Sequence, residues 1–167
     1  MIYEHTQKGG WAFWATLLAA AAVACMFAVL MNTVLADVSD APLAVGVLAV
    51  AAVLGIGTTV WAAVLMSSLT VRVEDECVTV RFGAGAFRKR FALEKIVSCR
   101  PVRNEWWAGW GIHYVGAGWL YNVAGLDAVE LRMHSGRIAR IGTDRPQELA
   151  EAVNAAIKAS VRRRQNL

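Results

Sequence analysis

The chain is poor in the residues that build catalytic sites and covalent scaffolds. It holds three cysteines, three prolines and three histidines in 167 residues. Cys25, Cys77 and Cys99 lie far apart with no CxxC spacing, which argues against a disulfide framework and against a cysteine zinc site. His5, His113 and His134 are scattered, so no histidine pair stands at metal-ligand spacing. No GxSxG, HExxH or P-loop pattern occurs. The glycine-rich "GAGAF" (83–87) runs into charged, strand-like residues instead of a helix, so it does not fit a dinucleotide loop. No cofactor, no metal and no catalytic residue is expected, and the chain is not expected to be an enzyme. Charge is the most informative absence. None occurs from Gly9 to Ala36, and none from Ala41 to Val71.

Each charge-free run is longer than the roughly 20 residues that cross a bilayer's hydrocarbon core. The whole chain is 57% hydrophobic with a mean hydropathy of +0.43, too apolar for an ordinary soluble domain. The pattern predicts an α+β membrane protein with an N-terminal tail (1–10), a transmembrane helix (11–31), a short connecting loop (32–42), a second transmembrane helix (43–66) and a soluble domain (67–164). "VLA" (34–36) resembles a signal-peptidase site. The span before it is longer than a usual signal core, and only Lys8 precedes it, so the span is read as retained. The connection 32–42 carries Asp37 and Asp40 and no basic residue, whereas residues 67–167 carry 16 Lys and Arg against 10 Asp and Glu. Positive charge collects on the cytoplasmic side. Both termini are therefore expected in the cytoplasm, with 32–42 outside. Trp11, Trp14 and Trp61 fall at the cytoplasmic span ends, where indoles sit among headgroups.

Within the spans, Thr16, Ala20, Ala24 and Ala28 form one ladder of small residues at spacing four. Ala51, Gly55, Thr59 and Ala63 form another. Small residues let helix backbones approach in lipid. Run antiparallel, the ladders pair Thr16 with Ala63, Ala20 with Thr59, Ala24 with Gly55 and Ala28 with Ala51. The same ladders also suit a homo-oligomer.

After the second span the periodicity changes to two. Leu69, Val71 and Val73 alternate with polar residues, as do Val78, Val80 and Phe82. "EDE" (74–76) is a turn between these strands, "FGAGAF" (82–87) another, and "HSG" (134–136) a third. Residues 143–164 read as one helix, capped by Thr143 or Asp144, with Pro146 in its first turn. Leu149, Val153, Ile157 and Val161 form its apolar stripe. About seven strands and one C-terminal helix are expected.

The segment "WWAGWGIHYVGAGWLYNVAG" (106–125) concentrates four tryptophans and five glycines. At period two, Ala108, Trp110, Ile112 and Tyr114 share one face, with Trp110 and Tyr114 expected in the core. Three readings stay open. One is a hairpin at a bent sheet corner, where aromatics and glycines have ordinary roles. The second is a shallow trough at Gly109 and Gly111, flanked by Trp107 and His113, that takes a protein partner. The third is a foot in the membrane interface. The basic run Arg88, Lys89 and Arg90 reads either as a solvated strand edge or as an attraction to anionic lipid. Nucleic acid is not expected as a partner, because topology accounts for the small positive surplus.

The set "GWGIHY" (109–114), "GWLYNVAG" (118–125), "AVELRMHSGR" (128–137) and "IGTDRPQEL" (141–149) resembles the bacterial pleckstrin-homology-like (PH-like) domain of small two-span membrane proteins. That resemblance implies a bent β-barrel plugged by its last helix, and a membrane-anchored, non-enzymatic module. It transfers no catalytic residues. The short acidic turn at 74–76 departs from the basic first loop of phosphoinositide-binding PH domains and would repel phosphate. The expectation is a multi-pass protein of the bacterial inner membrane whose cytoplasmic domain binds a protein partner. The alternative is an accessory subunit of a larger complex whose spans make the essential contacts.

Overall fold

The computed structural model describes residues 2–37, 42–116 and 118–165. Its first element is a strand, β1 (Tyr3–Lys8), in the segment expected to be a tail. Tyr3, His5 and Gln7 turn inward while Glu4, Thr6 and Lys8 face solvent, the alternation of a half-buried strand. Its partner, β2 (Ser68–Val73), lies beyond both apolar helices, so no local pattern announces the pairing. Helix α1 runs over Trp11–Asp37 and α2 over Pro42–Met66. The loop expected at 32–42 is therefore shorter: Asn32–Asp37 extend the first helix, Pro42 opens the second, and residues 38–41 lie outside the described residues. No glycine or proline lies between Trp11 and Pro42, and Pro42 suits a first helical position.

The remaining strands are β3 (Cys77–Phe82), β4 (Phe87–Ala92), β5 (Ile96–Arg103), β6 (Gly111–Tyr114), β7 (Trp119–Asn122), β8 (Asp127–Met133) and β9 (Ile138–Gly142), followed by helix α3 (Pro146–Gln165). The fold is mixed α+β, with nine strands among the described residues in place of about seven. They form two sheets, ordered β1-β2-β3-β4 and β5-β8-β9-β7-β6, and close no barrel. One strand the sequence reading did not expect is β1, ahead of α1, in the segment read as a tail. Pairing is antiparallel except between β7 and β9.

The core lies between the sheets. Leu69, Val71, Val73, Val78, Val80 and Phe82 from the first sheet meet Tyr121, Val129, Leu131 and Ile141 from the second. Helix α3 closes one side with Leu149, Val153 and Ala156. Its buried stripe continues to Ser160, and Val161 is exposed. A strict spacing of four drifts by about 40° per step around a helix of 3.6 residues per turn, so Val161 rotates out where Ser160 rotates in.

The β1–β2 pairing joins the two apolar helices to the domain at one point. Lys8 lies opposite Ser68, and the Gly9 N–H donates to the Ser67 carbonyl at 2.7 Å. A Cβ at Gly9 would sit 1.9 Å from the Met66 carbonyl oxygen. Only glycine lets the start of α1 pass the end of α2 this closely.

Candidate functional site

Two surface features follow from the sheet edges. The larger is a groove of about 1500 Å³ between β4 and the second sheet. It exists because β4 is the last strand of its sheet and, among the described residues, no strand pairs with its outer edge. Aromatic rings line it. Phe87 stacks on Tyr121 at 6.4 Å between centroids, and Phe91 meets the same ring edge-on at 5.8 Å. Ile112 and Met133 add apolar wall, and Lys89, Arg90, Lys95, Arg137 and Arg164 supply cations. Asp75, Glu76 and Glu94 also line it, with Asp75 bound to Arg163 at 3.1 Å.

Register explains how one strand supplies both rings and charge. Phe87, Lys89 and Phe91 stand opposite Phe82, Val80 and Val78, all fully buried. Lys89 thus occupies the core-facing row of β4, between two phenylalanines. Arg88 stands opposite Arg81, a like-charge pair, and Arg90 opposite Thr79. Among the described residues no carboxylate lies within ion-pair distance of Arg81, Arg88, Lys89 or Arg90. The basic run is an exposed, uncompensated strand edge beside an apolar groove.

The smaller feature is the trough segment. Residues 106–108 form a 3₁₀ turn, and the strand begins only at Gly111. The expected alternation from Trp107 therefore does not hold. Gly109 and Gly111 have φ of +69° and +113°, a region that favours glycine, and this ends the extended run. The His113 Nε2–H donates to the Ala108 carbonyl at 2.5 Å. Trp107, Ala108, His113, Tyr114, Val115 and Gly116 enclose a depression of about 340 Å³. Trp107 and His113 are brought together there, and a Cβ at Gly111 would lie 3.8 Å from the His113 ring. Trp110 and Tyr114 are not in the core. Trp110 packs edge-on against Trp11 at 4.7 Å, and Tyr114 is 64% exposed. Tyr121 and Val123 stand in the core instead.

The span ladders meet over part of their length. Thr16, Ala20 and Ala24 are half-buried, as are Gly55 and Thr59, and Ala63 is buried; Ala28 and Ala51 face outward. A Cβ on Gly55 would approach Phe27 at 3.2 Å and Val23 at 3.5 Å, so large residues fill the gap that this glycine leaves. The hydroxyls of Thr16 and Thr59 donate to carbonyls of their own helices.

Sequence reading missed an ion cluster on the second sheet. Glu130 on β8 is 2% exposed and faces Arg100 on β5 and Arg140 on β9. Arg100 donates to Oε1 at 2.8 and 3.1 Å, and Arg140 to Oε2 at 3.1 and 3.2 Å. Burial alone would raise the Glu130 pKa. The two guanidinium groups outweigh it and hold the carboxyl below its ordinary value. Only the sheet order places the three residues side by side, although each lies on an outward position of its own strand.

Among the described residues, no three His, Cys, Asp or Glu side chains form a group that could hold a metal ion. Burial pushes the Cys99 thiol up to about 12, which leaves it protonated and unreactive. The chain matches no protein-family model and no curated protein.

Proposed function

We propose that this protein is a membrane-anchored, PH-like binding module of the bacterial inner membrane, with both termini and the strand domain in the cytoplasm. In this reading it is non-enzymatic and engages a protein partner next to the bilayer. One observation carries the proposal. Two helices long and apolar enough to cross a membrane (Trp11–Thr33 and Val45–Met66) begin and end in paired neighbouring strands of one folded domain. Their apolar side chains are open to their surroundings: Leu18 is 73% exposed and Val53 72%. A helix in the core of a soluble protein would have buried them.

Because β1 and β2 pair, the N-terminal strand and the domain occupy the same side of any bilayer that the hairpin crosses. The excess of Lys and Arg beyond residue 67 favours the cytoplasm for that side. The PH-like reading draws on the four-stranded sheet, the second sheet and the closing helix α3. The acidic turn at 74–76 argues against phosphoinositide recognition there. Two surfaces are offered to a partner: the groove beside β4, and the depression at Trp107, Gly109, Gly111 and His113. Arg88, Lys89 and Arg90 also suit anionic headgroups.

Photo-crosslinking residues placed singly at Trp107, Lys89 and the lipid-facing Val53 of the full chain, in its native membrane, test this reading. Crosslinks to a protein from Trp107 or Lys89 support it. Protein crosslinks confined to Val53 would instead make the chain an accessory subunit held by its spans. Absence of protein crosslinks from every position would overturn both.

A further inference from the structure

We propose that the outer edge of β4 binds an extended, acidic segment of a partner protein, which adds to the first sheet as a fifth strand. This deepens the reading of the chain as a binding module and rests on it. The edge strands differ in what holds them. On β5 the Asn154 side chain takes both the Cys99 N–H (3.1 Å) and the Cys99 carbonyl (2.7 Å). On β1, His5 is bound to Asp144, which lies just ahead of α3. Strand β6 is only four residues long. Strand β4 has six residues, and among the described residues its outer edge makes no backbone hydrogen bond to another segment. Such an edge is a template for a further strand.

The groove beside this edge selects what can pair. Its volume of about 1500 Å³ exceeds the roughly 300–1000 Å³ of small-molecule pockets. A strand paired with β4 would alternate between the groove and solvent. Facing the groove it would meet Phe87, Lys89 and Phe91; on the other face it would meet Arg88 and Arg90, the latter also reaching the groove wall. Favourable cross-strand pairs are aromatic with apolar and cation with anion. The matching five-residue pattern is apolar, acidic, acidic, acidic, apolar, and it reads the same in either direction. A second copy of β4 does not qualify, because two edges carrying Arg88, Lys89 and Arg90 repel. The Arg81–Arg88 like-charge pair disfavours the empty state, and an acidic neighbour relieves it.

The probe is the peptide Thr-Ile-Glu-Glu-Glu-Ile-Thr, titrated against the full-length protein in uncharged detergent. Four companions accompany it: two versions N-methylated at alternate backbone amides, one in each register, a version with lysine in place of glutamate, and anionic-lipid nanodiscs as competitor. The acidic peptide is expected to bind, and N-methylation in the register that blocks the β4-facing amides to weaken it at least tenfold. Lys89→Glu together with Arg88→Glu, both at exposed positions, should weaken it at least tenfold and create binding of the lysine peptide. An unchanged melting temperature shows that the variant is folded. Failure of the acidic peptide to bind, or equal binding of both N-methylated registers, overturns the proposal. Displacement of the peptide by anionic nanodiscs at equal charge concentration also overturns it and assigns the edge to the membrane. If the peptide fails while crosslinks from Trp107 still reach a protein, the strand-addition proposal falls and the binding-module reading stands.

Discussion

Glu130 and Cys99 are both buried, and their environments act on them in opposite directions. Glu130 is held ionised by Arg100 and Arg140, whose hydrogen bonds and charges outweigh its desolvation. A depressed carboxyl pKa contributes stability that is present above the unfolded-state value of about 4.3 and is lost as pH falls through the folded-state value. Glu130→Gln removes the anion shared by Arg100, Arg132 and Arg140, which all keep some contact with solvent, and should cost about 1–3 kcal/mol, the range for hydrogen bonds to a charged group. The variant should also lose part of the acid-side dependence of the melting temperature, followed by tryptophan fluorescence in detergent. An unchanged acid limb would assign that dependence to other carboxylates. Cys99 has no such partner, and burial drives its thiol to about 12. At pH 8 the folded protein should alkylate at half-buried Cys77 well before Cys99, as read by peptide mass spectrometry. Equal rates would mean that β5 opens readily.

At the scale of elements, helix spacing decides which side chains meet. The alanine ladders were legible as repeats of four, but α1 and α2 contact along the 3.6-residue period. Gly55 consequently lies against Val23 and Phe27, and Ala28 and Ala51 leave the seam. Val23→Cys combined with Gly55→Cys, in a chain lacking Cys25, Cys77 and Cys99, should form an intramolecular bridge on oxidation. Bridges formed only between chains would move this seam to an oligomer contact. Gly55→Leu should separate the helices, because the leucine would enter space held by Phe27, and overpacking of this kind typically costs about 1–3 kcal/mol.

For the whole molecule, the key contact is β1 against β2. It closes the helical hairpin into the domain, so the N-terminal strand and the domain share one side. Single cysteines at Ser39 and at exposed Ser135, in the same cysteine-free background, test the orientation with a membrane-impermeant reagent on intact cells. Label at position 39 and protection at 135 are expected. The reverse would invert the orientation, and label at both would mean that the hairpin does not cross the bilayer.

What the sequence determined by itself was whatever repeats locally. Two charge-free runs defined two apolar helices, because about 20 consecutive apolar residues are long enough to cross a bilayer whatever packs beside them. Alternation at Leu69–Val73 and Val78–Phe82 defined strands, and the stripe beginning Leu149, Val153 defined α3, because these periods arise from one element's own geometry. The basic run at Arg88–Arg90 was visible as composition. Its setting was not: an open edge, with Lys89 in the core-facing row of β4, follows only from the register of β4 on β3 and the gap to the second sheet. In the same way β1 reads as a tail without its partner β2, and the setting of Glu130 between Arg100 and Arg140 exists only through the sheet order. Trp110 and Tyr114 left the core because the backbone at Gly109 and Gly111 breaks the alternation. In each case the deciding contact joins residues distant in the chain, and such contacts leave no period in the sequence to read.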